Sequence, residues 1–193
     1  MGLSLLLTAC GEDSTQKVQQ NPQEKTAKIK LVEKSIPKEY TFTFSDLNNQ
    51  ASKLYIKENI YNFVNIQQPI VLVTFFSTWC PPCRGQIPHL SNLQEIFKEN
   101  VFIVGALVYD DLNHKELAKF FVSQKAHFFI SSNQKENLDF AHMLAPNLRL
   151  KPDFEIPMTV MFVNGKYYTH YEQAIPEEML ASDITQALKK LQP

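Results

Sequence analysis

Ile70-Val71-Leu72-Val73-Thr74-Phe75-Phe76, with Trp79-Cys80-Pro81-Pro82-Cys83-Arg84 just after it, decides how this chain is read. An apolar, β-branched run of that length reads as a strand buried on both faces. Beyond the motif, Ile87, Leu90, Leu93, Ile96 and Phe97 recur at helical spacing, so the two cysteines open a helix. A thiol there meets backbone N–H groups without intrahelical partners and the positive end of the helix dipole, and both favour the thiolate. Pro81 and Pro82 lack N–H donors and hold φ near helical values, which suits a first turn. Cys80 is expected at the exposed edge, where it attacks a partner's disulfide. Cys83, one turn deeper, then resolves the mixed disulfide.

A Cys-x-x-Cys pair also occurs as half of a zinc site or as an inert buried pair. Zinc needs two more ligands. The third cysteine, Cys10, is far away in sequence, and His89, His114, His127, His142 and His170 form no closely spaced pair. The expectation is therefore no metal, and no cofactor beyond a redox-active Cys80–Cys83 disulfide.

With 193 residues and 44% hydrophobic content, the chain is long enough to bury one full core, and a single monomeric domain is expected. A net charge of −1 supplies no basic face for nucleic acid. No apolar run reaches membrane-spanning length. Leu7-Thr8-Ala9-Cys10 closes a short apolar stretch and resembles the bacterial lipobox, in which a diacylglycerol is attached to the cysteine. Met1 to Ala9 departs from that pattern in having no Lys or Arg. The polar residues that follow cannot bury enough surface to offset their ordering entropy. Residues 1–10 thus read as a lipoprotein signal-like segment ending at Cys10, residues 11–35 as a flexible linker, and residues 36–193 as the folded domain.

Within that domain Tyr40–Phe44 alternates as a strand, with Leu54–Ile56 a short partner. Val101–Val108 is a second buried strand, which makes strand, helix, strand a parallel βαβ unit. Leu112–Lys125 reads as a helix, His127–Ile130 as a short strand, Gln134–Leu144 as a helix and Asn147–Glu155 as a loop. Asn164-Gly165 between Ile156–Val163 and Lys166–Tyr171 is a strong hairpin signal. Pro176–Leu191 closes the chain as an amphipathic helix, and Pro88 is expected to kink the motif helix.

That order, with the Trp-Cys-Pro-Pro-Cys helix and a proline-started hairpin, resembles the thioredoxin fold. The lipobox, the N-terminal strand extension and a helical insertion near residues 124–155 look like the TlpA-like branch of extracytoplasmic thiol–disulfide oxidoreductases. The resemblance implies an α/β fold with a central mixed sheet and helices on both faces. It also implies that Pro157, with Ile156 before it, is cis and faces the cysteines. Trp79, Pro81, Pro82, Ile156 and Pro157 would then line a substrate groove in which residue 156 pairs with a bound chain as an added strand. Three positions depart from thioredoxin. Its buried aspartate, six residues before the first cysteine, is Thr74 here, its lysine partner aligns with Ala106, and its groove glycine is Gln173. Asp153 and Glu155 are the nearest candidates in sequence for the proton acceptor that the aspartate would supply, with solvated loop charges as the plainer alternative.

The function so implied is a periplasm-facing, lipid-anchored reductant of protein disulfides, served by a membrane electron donor, with apocytochrome c maturation as one case. A dithiol oxidase or isomerase of exported proteins would use the same residues in the opposite direction. A binding module without redox chemistry would leave the cysteine pair superfluous.

Overall fold

The computed structural model describes residues 39–192. The expectations for Cys10, the 1–10 segment and the 11–35 linker lie outside those residues. Among the described residues, no helix is long and apolar enough to cross a membrane.

In chain order the elements are β1 (Glu39–Ser45), β2 (Ala51–Lys57), β3 (Ile60–Phe63), β4 (Ile70–Phe76), α1 (Pro81–Ile96), β5 (Val101–Leu107), α2 (His114–Ser123), β6 (Phe129–Ser131), α3 (Gln134–Asn147), β7 (Met158–Val163), β8 (Lys166–Glu172) and α4 (Glu177–Leu191). The strands make one mixed sheet in the order β1-β2-β3-β8-β7-β4-β5-β6. β4 pairs in parallel with β5 and antiparallel with β7, and β5 pairs in parallel with β6. Strands on both sides and helices on both faces leave every residue of β4 buried, which accounts for its unbroken apolar run.

Alternation along β4 divides the core. Ile70 and Leu72 pack with Leu90 and Leu93 of α1 and with Leu180 and Ile184 of α4. Val71, Val73 and Phe75 face the other way, into Phe140 and Leu144 of α3 and Phe42, Phe44 and Leu54 of the first hairpin. The outer edges of the sheet, β1 and β6, meet at one end. Ser45 N–H donates to Ser131 Oγ at 3.2 Å, and Ser132 N–H to the Ser45 carbonyl at 2.8 Å. Thr43 N–H donates to the Glu136 carboxylate at 3.0 Å. Groups that would otherwise template another strand are therefore satisfied within the chain.

Several boundaries differ from the sequence reading. β2 spans seven residues rather than the three of Leu54–Ile56, and β3 had no expectation at all. The turn between them is Glu58-Asn59, both at positive φ (50° and 65°), which is turn geometry without the glycine that usually signals it. β6 lies at Phe129–Ser131 rather than His127–Ile130, because its register is set by pairing with β5. α3 runs to Asn147, past Leu144, with Pro146 inside its last turn. α1 remains a single helix through Pro88.

β3 joins β8 through a short register at Ile60 and Lys166, reinforced by Tyr61 N–H donating to the Gly165 carbonyl at 2.7 Å. Gly165 has φ +70°, and a Cβ there would sit 2.8 Å from the Tyr61 carbonyl oxygen. Gly165→Ala is therefore expected to cost at least about 1–2 kcal/mol, the left-handed penalty alone, read as a lower urea midpoint. An unchanged midpoint would show that this turn does not hold the N-terminal strands to the sheet.

Candidate active site

β4 and β5 end side by side, and the loops beyond them are tied to each other. Val108 N–H donates to the Phe76 carbonyl at 2.9 Å, and the Ser77 hydroxyl donates to the Val108 carbonyl. Thr78 N–H donates to Asp110 Oδ2 at 2.6 Å, and Trp79 Nε1–H to the Tyr109 carbonyl at 2.6 Å. The loop at Tyr109 is sharply bent, since Tyr109 has φ +54°, uncommon for so bulky a residue. Its position is fixed from behind by α3. The Gln134 side-chain amide clamps the Asp110 backbone, accepting from its N–H at 2.8 Å and donating to its carbonyl at 2.7 Å. Fully buried Asn137 donates to the Leu107 and Ser131 carbonyls, both at 2.9 Å, and accepts from Ser131 Oγ at 2.7 Å.

This staple presents Cys80 as the N-cap of α1. Cys80 and Cys83 form a disulfide, with Cα atoms 5.2 Å apart. Pro81 and Pro82 occupy the first two helical positions, so the first backbone donor is Cys83 N–H, which reaches Cys80 Sγ at 3.2 Å. Exposure differs from the sequence reading. Cys80 is 3% exposed and Cys83 1%, because both sulfurs pack among Phe76, Ile87, Leu107 and Leu117. What separates the two is access, since Cys80 lines a surface groove and Cys83 does not.

That groove measures about 440 Å³. Trp79, 61% exposed, and Tyr109 line it together with Asp153, Phe154, Glu155 and Ile156. The Ile156–Pro157 bond is cis, and the Ile156 carbonyl oxygen lies 3.7 Å from Cys80 Sγ. Gln173 adopts φ +73°, the backbone region that favours glycine, and its Nε2 approaches Glu155 Oε2 at 3.4 Å. The structure thus brings Trp79, Cys80, Pro81, Pro82 and Ile156 together around one groove, whereas Pro157, expected to line it too, is buried and not among the lining residues. Asp153 and Glu155 open onto the same groove, and among the described residues neither makes a hydrogen bond to either sulfur.

On the α1 side of the sheet, Thr74 and Thr159 are register partners whose hydroxyls bond to each other at 2.8 Å, both buried. This neutral pair occupies the place where the resemblance puts a carboxylate. Gln86, one turn past Cys83 on α1, is 2% exposed, and among the described residues neither its Nε2 nor its Oε1 has a partner. Asp110, Tyr109, Gln134, Asn137 and Gln86 were not singled out from the sequence. Their roles depend on partners 24 to 32 residues away or, for Gln86, on which side of α1 is covered. Only the Tyr109-Asp110-Asp111 run at the strand end hinted at a built loop.

Two buried amides on helices should respond oppositely to replacement. Gln86→Met removes a polar group that has no partner, so the oxidised protein is expected to be unchanged or stabilised by about 1 kcal/mol. Asn137→Leu strands two carbonyls and a hydroxyl, with an expected loss of about 1–3 kcal/mol. Chemical denaturation of the two variants checks both. Equal losses would mean that the Gln86 amide is satisfied after all.

Residues 64–188 match the Redoxin family. A curated relative, the chloroplastic thioredoxin Y2 of Arabidopsis thaliana, is 23% identical over 146 residues, covering 76% of this chain and 68% of its own. Among solved structures, a thioredoxin-family thiol:disulfide interchange protein from Chlorobium tepidum is similar with a TM-score of 0.59 and 16% identity, covering 77% of this chain and 93% of its own. A secreted Mycobacterium tuberculosis disulfide oxidoreductase, described as homologous to E. coli DsbE, follows at 0.54 and 16%, with 75% and 95% covered. StoA from Bacillus subtilis gives 0.53 and 15%, with 76% and 96% covered. At these identities the structural likeness speaks for the fold. The family match and the disulfide capping α1 speak for the chemistry: this chain belongs to the Redoxin family, as a thiol–disulfide oxidoreductase built on the thioredoxin fold.

Proposed function

We propose that the protein reduces disulfides of client proteins outside the cytoplasm. The Cys80 thiolate attacks a client disulfide, forming a mixed disulfide and releasing one client thiolate. The Cys83 thiolate then attacks Cys80 Sγ, restoring the Cys80–Cys83 disulfide and releasing the second client thiolate. Two electrons pass to the client, and an upstream dithiol donor at the membrane returns them. Cys80 is the nucleophile because its sulfur faces the groove and receives the Cys83 N–H. Cys83, outside the groove, is placed to resolve. Trp79 and Ile156 frame the client, whose backbone pairs beside residue 156.

The observation that carries the direction is the pair of prolines at the first two helical positions. An N-cap sulfur ordinarily draws on the donors of the second and third residues, and here Pro82 removes one of them. A less stabilised thiolate means a less favoured dithiol, and hence a stronger reductant. Pro82→Ala restores that donor. It is expected to raise the reduction potential by about 30 mV or more, the equivalent of one hydrogen bond to a charged group. Equilibration with glutathione buffers measures this, and a potential that falls or stays put would contradict it.

Extracytoplasmic placement draws support from the lipobox-like Leu7-Thr8-Ala9-Cys10 and from the secreted Mycobacterium tuberculosis relative in fold. A lipid on Cys10 would hold the domain by the linker near membrane-bound donors and clients. Apocytochrome c is one client class this reading admits. Oxidation of exported thiols is the second reading, favoured if the pair sits mostly oxidised in unstressed cells.

The assignment of roles has a direct test. Cys83→Ser is expected to accumulate client mixed disulfides that reductant releases, and Cys80→Ser to accumulate none. The reverse pattern would exchange the two roles.

A further inference from the structure

We infer that the groove selects client segments in which a lysine or arginine flanks the reactive cysteine. This inference rests on the disulfide-reducing reading above and names the clients it fits. Asp153 and Glu155 line the groove, and among the described residues no Lys, Arg or His does. Among the described residues, neither carboxylate forms an ion pair, and the nearest partner of Glu155 is the neutral Gln173 amide at 3.4 Å. The whole chain carries a net charge of only −1, so this acidity is local to the site rather than a general property of the surface.

The exposed indole in the same groove suits the same ligand. Trp79 exposes most of its ring, and its Nε1–H is held by the Tyr109 carbonyl, which fixes the indole's orientation. An indole face attracts cations, arginine in particular. A client whose sulfur reaches Cys80 and whose backbone runs beside Ile156 places its neighbouring residues within about 3.3 Å of rise from Glu155. A cationic neighbour in that groove meets a carboxylate or an aromatic face. An acidic neighbour meets like charge or a ring face that repels it. The carboxylates and the indole therefore discriminate in the same direction.

The test uses two peptides of identical sequence, each with one disulfide, in which the residues flanking the cysteines are either lysine or glutamate. The fully reduced full-length protein is mixed with each at low salt and neutral pH. Each second-order rate is divided by the rate for dithiothreitol with the same peptide, which removes the effect of flanking charge on the peptide's own thiols. The lysine peptide is expected to lead by about three- to tenfold, two exposed charge pairs' worth of discrimination. The lead should shrink in 1 M salt and in the Asp153→Asn, Glu155→Gln double variant, which keeps only the Trp79 contribution. Equal rates, or a lead for the glutamate peptide, would overturn the inference and leave the reductase reading standing. A lead undiminished in the double variant would overturn the assignment to these carboxylates. If dithiothreitol reduces both peptides and the protein reduces neither, the reductase reading falls and the inference with it.

Discussion

Two parallel strands that end side by side leave backbone N–H and C=O groups with no ladder to join, and the site is built from how those groups are satisfied. β4 hands its last carbonyl to Val108, and Thr78 N–H finds the Asp110 carboxylate. Asp110 can serve because Gln134 holds its backbone and Asn137 anchors the strand end beneath it. A buried carboxylate that bonds backbone N–H groups is stabilising only while its partners stay in place. The α3 helix, distant in sequence, is thus part of the apparatus that aims Cys80.

The second controlling feature is the poverty of donors at the start of α1. Most helices offer an N-cap group more than one N–H, and this one offers a single bond, from Cys83. The neutral Thr74–Thr159 pair adds no charge from below, and Gln86 contributes a dipole with no protein partner. Around both sulfurs the packing is otherwise apolar. Such surroundings offer a Cys80 thiolate little beyond the Cys83 N–H, the feature on which the proposed direction rests. The charge at the site lies instead in the groove, on Asp153 and Glu155.

Much of this was legible in the sequence. A seven-residue apolar strand, a Cys-Pro-Pro-Cys opening a periodic helix and an Asn-Gly turn are local signals, each set by burial, capping or turn sterics within a few residues. They determined a βαβ core, a redox pair at a helix N-terminus and a closing hairpin. The sequence also placed Trp79 and Ile156 at a groove, through resemblance to a known pattern. It missed β3, whose turn uses Glu58-Asn59 rather than glycine, and it took Cys80 to be exposed when the surrounding rings bury it.

Tertiary structure alone decided the remainder. The bonds of Asp110 to Thr78, of Gln134 to Asp110 and of Trp79 to the Tyr109 carbonyl span 24 to 32 residues, and no local pattern encodes a partner at that distance. The same holds for the groove, where Asp153 and Glu155, in sequence proton-acceptor candidates or plain loop charges, come to share a cavity with an exposed indole only once the chain has folded. Short-range sterics and hydrophobic periodicity therefore determined which elements form and where the sulfurs sit. Long-range hydrogen bonding, which depends on how those elements pack, decided what holds the sulfurs and which residues share their groove.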